Sequence, residues 1–140
     1  MPVQEFNFDS QIARFVKFEA FSWYGAGAGL QYFNVKKTGI LVFIERYNSS
    51  FSVLTLTFWK TFLDCGVTVQ SGDVYDNDAK FKVSNVLDRF GNNSWIPSNG
   101  QSKEFILKLG CKEETYNVVQ LVNTNLNQER STGRFKVYLR

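Results

Sequence analysis

Histidine is missing from this 140-residue chain, and cysteine, proline and methionine are nearly so, with two, two and one residues. Without histidine the chain has neither the commonest general base nor the commonest transition-metal ligand. Any chemistry falls to carboxylates, Lys, Tyr and the two cysteines, so a non-enzymatic role is the expectation. Cys65 and Cys111 are too far apart for a C-x-x-C motif, which excludes a zinc knuckle or a thioredoxin-like pair and leaves one disulfide or two buried thiols. Charge of one sign is also scarce: the formal net charge is +3, with Lys and Arg interspersed among Asp and Glu. A nucleic-acid footprint, which needs a basic stripe, is therefore not expected. Long uncharged runs are absent too. The apolar stretch 40–62 is interrupted by Glu45, Arg46 and Lys60, short of the ~18–20 residues of a membrane-spanning helix. Met1-Pro2-Val3-Gln4-Glu5 has neither the basic nor the apolar region of a secretory signal.

What the chain has is aromatic side chains: 14 Phe, 6 Tyr and 3 Trp. With an apolar content of 44% in 140 residues, this composition predicts one all-β domain with a genuine core. Residues 14–23 alternate, with Val16, Phe18 and Ala20 on one face and Phe15, Lys17, Glu19 and Phe21 on the other. Gly25-Ala26-Gly27-Ala28-Gly29 then predicts a turn, and its spacing is not that of a dinucleotide loop. Strands are expected at 30–35, 104–109, 116–122 and 133–139, with Phe135, Val137 and Leu139 on one buried face. Residues 40–47 and 51–59, flanking Asn48-Ser49-Ser50, read as a hairpin. No helix is expected beyond a single turn within 83–90. Asp73, Asp76 and Asp78 mimic a calcium loop but lack the glycine and closing glutamate of an EF-hand, so 71–80 reads as a solvated loop.

Several ordered motifs go further. Ser84-Asn85-Val86-Leu87-Asp88 precedes Asn93-Ser94-Trp95-Ile96-Pro97. Glu104-Phe105-Ile106-Leu107-Lys108-Leu109-Gly110 and Val119-Gln120-Leu121-Val122-Asn123-Thr124-Asn125 follow, and then Arg130-Ser131-Thr132-Gly133-Arg134-Phe135-Lys136-Val137. Together they resemble the discoidin, or coagulation factor V/VIII type C, branch of the galactose-binding-like superfamily. Ala13-Arg14-Phe15-Val16-Lys17-Phe18-Glu19 and Trp23-Tyr24-Gly25 through Phe33 resemble the end of such a domain, so the family order is inverted. The resemblance implies a galactose-binding-like jelly-roll β-sandwich, either circularly permuted or an incomplete piece of a tandem array. In it 1–35 corresponds to the C-terminal part, 65–140 to the N-terminal part, and 36–64 has no counterpart.

By the same resemblance the chain is an extracellular or cell-surface adhesion module that recognises a glycan or glycoprotein through loops at one end of the sandwich. Trp23, Tyr24 and Phe90 are the candidate stacking rings, and Asn123, Asn125 and Arg130 the polar partners. Core packing is the competing reading for each of these rings and for Trp95, and tying of strand ends for Asn123 and Arg130. A structural Ca²⁺ is expected at Asp88, Asn93 and Ser94, completed by Gln31 where many relatives carry a glutamate; a turn capped by Asp88 is the alternative. Two other readings stand beside the glycan: attachment to anionic phospholipid through apolar loop tips and nearby cations, and a protein ligand. A glycosidase-like pair, Glu113 with Glu114 or Asp73 with Asp76, is the less favoured enzymatic alternative.

Overall fold

The computed structural model describes residues 3–47, 50–61, 65–100, 102–111, 114–124 and 130–140, with side chains for all of these except 40–47 and 50–55. In chain order the strands are β1 (Gln4–Ile12), β2 (Phe15–Ala20), β3 (Trp23–Gly25), β4 (Leu30–Tyr47) and β5 (Ser50–Thr61). They continue with β6 (Val67–Gly72), β7 (Lys103–Leu109), β8 (Thr115–Asn123), β9 (Arg130–Thr132) and β10 (Phe135–Leu139). The first sheet has the order β1-β8-β4-β5, the second β10-β2-β7-β6, and β3 pairs with β9 in a small ribbon. All these strand pairings are antiparallel. No α-helix occurs among the described residues; the connection from β6 to β7 contains short 3-10 turns at Tyr75–Asn77, Ala79–Phe81 and Val83–Leu87.

The period-two alternation of β2 is what makes the sandwich. Val16, Phe18 and Ala20 are fully buried and meet Phe33, Val35 and Leu121 of the first sheet, while Lys17 and Glu19 point away. Phe18 is the hub: its ring stacks on Phe105 and Phe135, each at a centroid distance of 5.3 Å, and meets Phe33 edge-on at 5.7 Å and Trp95 at 6.1 Å. Trp95 is fully buried, and its indole N–H donates to the Asp73 carbonyl at 2.8 Å, so its one polar atom is satisfied inside the core.

The expected strands at 30–35, 104–109, 116–122 and 133–139 correspond to the start of β4 and to β7, β8 and β10. The expected hairpin is present as β4 and β5 in register from Lys36↔Thr61 to Tyr47↔Ser50; positions 48 and 49 lie outside the described residues. Past Lys36↔Val118, β4 has β5 as its strand partner, so the hairpin runs on beyond the sheet as a two-stranded arm. At its root the Phe58 ring lies against Gly39, where an added Cβ would come within 2.6 Å of it.

Segments 1–35 and 65–140 interleave in both sheets: β2 lies between β10 and β7, and β8 between β1 and β4. Cys65 and Cys111 form a disulfide with Cα atoms 5.0 Å apart, fastening the approach to β6 against the exit of β7. A bridge closing a loop of this length stabilises the folded chain by about 2–4 kcal/mol.

Candidate binding surfaces

Register alone gathers the predicted loops at one end. Ala20 pairs with Lys103 and with Phe135, Gly72 with Phe105, and Leu30 with Asn123, so connections 21–29, 73–102 and 124–134 leave the sheets on the same side. There the β3–β9 ribbon sets Trp23 opposite Thr132, Tyr24 opposite Ser131 and Gly25 opposite Arg130. Asn123 welds the ribbon to the first sheet. Its Nδ2 donates to the Thr132 carbonyl at 2.8 Å, and its Oδ1 accepts from the amides of Thr124 and Thr132 at 3.0 Å each.

Four of the residues named from sequence thus come together here: Trp23, Tyr24, Asn123 and Arg130. Trp23 is half-buried against the core, whereas the Tyr24 ring is 66% exposed. Tyr24 and Asn123, with Gln4 and Thr132, line a cleft of about 230 Å³. Arg130 turns the other way. Its guanidinium lies 4.6 Å over the Tyr75 ring, donates to the Pro97 carbonyl at 3.0 Å, and donates to Asn99 Oδ1. It holds the β6–β7 connection against the ribbon. Asn125 lies outside the described residues.

Asp73 fastens the same connection. It accepts from the Ser98 amide at 2.6 Å and from the Ser98 hydroxyl, and lies 3.6 Å from the Lys103 ammonium. Burial pushes its carboxyl up, but the Ser98 donors and the Lys103 charge outweigh that and hold it below the ordinary carboxylate range. Glu114 pairs with Lys60 at 2.9 Å, which lowers its pKa, and Glu113 lies outside the described residues.

The calcium candidates fall on a neighbouring turn. Trp95 and Leu30 exchange backbone hydrogen bonds of 2.8 and 3.0 Å, which brings Ser94 and Gln31, their chain neighbours, to one bridge. Asp88 follows the Val83–Leu87 turn. Its Oδ1 accepts from the Phe90 amide at 3.0 Å, while the Ser94 carbonyl accepts from Asn85 Nδ2 at 3.1 Å. Asp88 and Asn93 are exposed, and Phe90 is 91% exposed at the tip. A hard dication takes six to eight oxygens, favouring carboxylates. Here one carboxylate is present, one of its oxygens already accepting from its own turn, and the described residues contain no group of three or more Asp, Glu, Cys or His side chains. These residues fit calcium poorly.

Two surfaces were not legible in the sequence. The sandwich is open where β1 faces β10, and Phe6, Phe8, Phe21, Phe135, Val137 and Leu139 line an apolar groove of about 610 Å³ there. On the outer face of the first sheet, a concavity of about 530 Å³ is lined by Tyr32, Asn34, Lys36, Trp59, Arg89 and Gln120 among others. Alternation explains the second: Phe33 and Val35 enter the core, so Tyr32, Asn34 and Lys36 take the opposite face. Asn34 donates to Gln120 at 3.4 Å, Gln120 donates to Glu5 at 2.7 Å, and Lys36 pairs with Glu5 at 3.2 Å. Burial raises the Tyr32 pKa against the opposing influence of Arg89, whose guanidinium lies 5.5 Å from the ring centre, and of Asn34. The polar alternation of 32–36 was the available signal, but Trp59 and Arg89 reach it only through β-pairing and the 88–91 turn.

Compared with family models, curated proteins and solved structures, the chain finds no match in any of the three.

Proposed function

We propose that this chain is a non-catalytic carbohydrate-binding module of the adhesion type, built on a galactose-binding-like jelly-roll sandwich. It engages a glycan or glycoprotein at the loop end. The observation that carries this reading is the Tyr24 ring, 66% exposed beside the cleft that Asn123, Gln4 and Thr132 line. A ring that is free to stack on the C–H face of a sugar, next to amide and hydroxyl groups, is the usual arrangement of such sites. Asn123 is held rigid by its three hydrogen bonds, which fill both acceptor positions of Oδ1 and leave one Nδ2 proton for a ligand. The Cys65–Cys111 disulfide supports an extracellular or cell-surface setting, because such bonds persist in oxidising compartments.

A glycan array probed with the intact chain and with Tyr24→Ala tests the reading. The intact chain retains a set of glycans, and the variant loses about tenfold in affinity for them, or ~1.4 kcal/mol, with its melting temperature unchanged. Full retention by Tyr24→Ala, or no glycan retained by the intact chain, overturns the proposal. A melt with millimolar calcium belongs beside it. Given the thin donor set around Asp88, the midpoint should not move; a rise of several degrees would restore calcium as a structural cofactor.

A second reading, attachment to anionic phospholipid, is favoured by one feature: Phe90, 91% exposed, sits on a turn next to the exposed Arg89. An apolar tip beside a cation is the arrangement that enters a lipid interface. Co-sedimentation with phosphatidylserine vesicles that Phe90→Ala abolishes would favour this reading over the glycan.

A further inference from the structure

We infer that the outer face of the first sheet is a second binding site, separate from the loop end, for an acidic saccharide such as a uronate-bearing chain. The concavity of about 530 Å³ falls within the size range of small-molecule sites. On its β5 side stands Trp59, 67% exposed, a ring large enough to stack on one sugar unit. Its exposed face is available for a ligand ring to pack against.

The charges specify the ligand further. Lys36 pairs with Glu5, and Glu5 is also held by Gln120, whereas Arg89 has no carboxylate partner among the described residues. Among the described residues two cations therefore face one carboxylate on this surface, leaving a site for an anion. A uronate carboxylate can take both oxygens to a planar guanidinium. The floor is unfinished in the same sense: Asn34 is only 2% exposed, and its Oδ1 accepts no hydrogen bond from any described residue. A buried acceptor left without a donor costs about 1–3 kcal/mol, and sugar hydroxyls are donors.

The site is tested by ¹H–¹⁵N NMR titration with hyaluronan tetrasaccharide, and with chitotetraose as the neutral control. The acidic tetrasaccharide should shift the Trp59 indole and Asn34 side-chain resonances. Arg89→Ala and Trp59→Ala should each raise its Kd by about tenfold or more, with undisturbed spectra elsewhere. Raising salt from ~0.05 to ~0.5 M should weaken it, since the Debye length shortens, and Tyr24→Ala should leave it unchanged. Shifts absent up to ~10 mM ligand, a range that covers very weak binding, would overturn the inference. So would equal binding of the neutral control with no effect of Arg89→Ala. Because the loop-end reading is scored at Tyr24, either site can fail while the other stands.

Discussion

At the loop end, Asn123, Arg130 and Asp73 each hold partners belonging to the protein itself. On the outer face of the first sheet, the Trp59 ring is 67% exposed and Arg89 has no carboxylate partner among the described residues. The polar groups that a sequence reading selects for ligand binding are, at the loop end, also the groups that keep long connections in place. Buried loops must satisfy their backbone, and a 30-residue connection such as 73–102 needs side chains to do it. A sheet satisfies its backbone through its ladder, so on its outer face Asn34, Gln120, Glu5 and Lys36 bind one another and Trp59 and Arg89 are left for other uses.

The sharpest way to break the comparison is to remove what both surfaces share. Phe18→Ala deletes the ring that Phe33, Phe105, Phe135 and Trp95 pack around, and should cost about 3–5 kcal/mol in urea unfolding. Both surfaces would be lost together; a cost under ~1 kcal/mol would mean the two sheets are not held by this cluster. Next comes the disulfide. Replacing Cys65 and Cys111 with Ser should lower stability by about 2–4 kcal/mol, and it should not selectively change either binding surface.

Arg130→Ala separates the two regions. It removes the guanidinium from Pro97, Asn99 and Tyr75, and should cost about 1.5–3 kcal/mol, the range for hydrogen bonds to a charged group. Amide exchange should quicken within 73–100 while the Trp59 region keeps its protection. Equal acceleration on the sheet face would dissolve the distinction. The smallest effect is a pH dependence. The Asp73 carboxyl titrates below its unfolded value of ~3.9, so its contribution is full above that pH and is lost as pH falls through the folded pKa. Asp73→Asn should therefore be less stable than the parent at pH 7, with the gap closing on acidification below ~4. A gap that stays constant with pH would mean the Ser98 and Lys103 contacts carry no charge-dependent stability.

Strands with one buried face could be read from sequence. β2 and β7 alternate because Val16 and Phe18, and Phe105 and Leu107, reach the core, whereas the central β8 is buried on both faces, at Val118 and Val122 as at Val119 and Leu121. β1 could not: only Phe6 and Phe8 make an apolar face, and apart from the half-buried Phe8 its residues are exposed, so the alternation is too short to mark a strand. β9 is three residues long and exists by pairing with β3, more than a hundred positions away in the chain. The cysteines illustrate the same limit, since a separation of 46 says nothing about proximity until β6 and β7 pair. At the site, Trp23 and Tyr24 were legible as neighbours in sequence, and Asn123 joins them through the ribbon. The partners of Arg130, and the meeting of Trp59, Arg89 and Asn34, depend on register and loop path, which composition does not encode.

The most direct test of the account is a titration of the ¹⁵N-labelled chain with a neutral glycan retained on the array, following both surfaces in one spectrum. The account predicts progressive shifts at the amides of Tyr24, Asn123 and Thr132, with the Trp59 indole resonance unmoved. Shifts confined to Trp59 and its neighbours, or to the Phe90 turn, with the Tyr24 cleft silent, would contradict it.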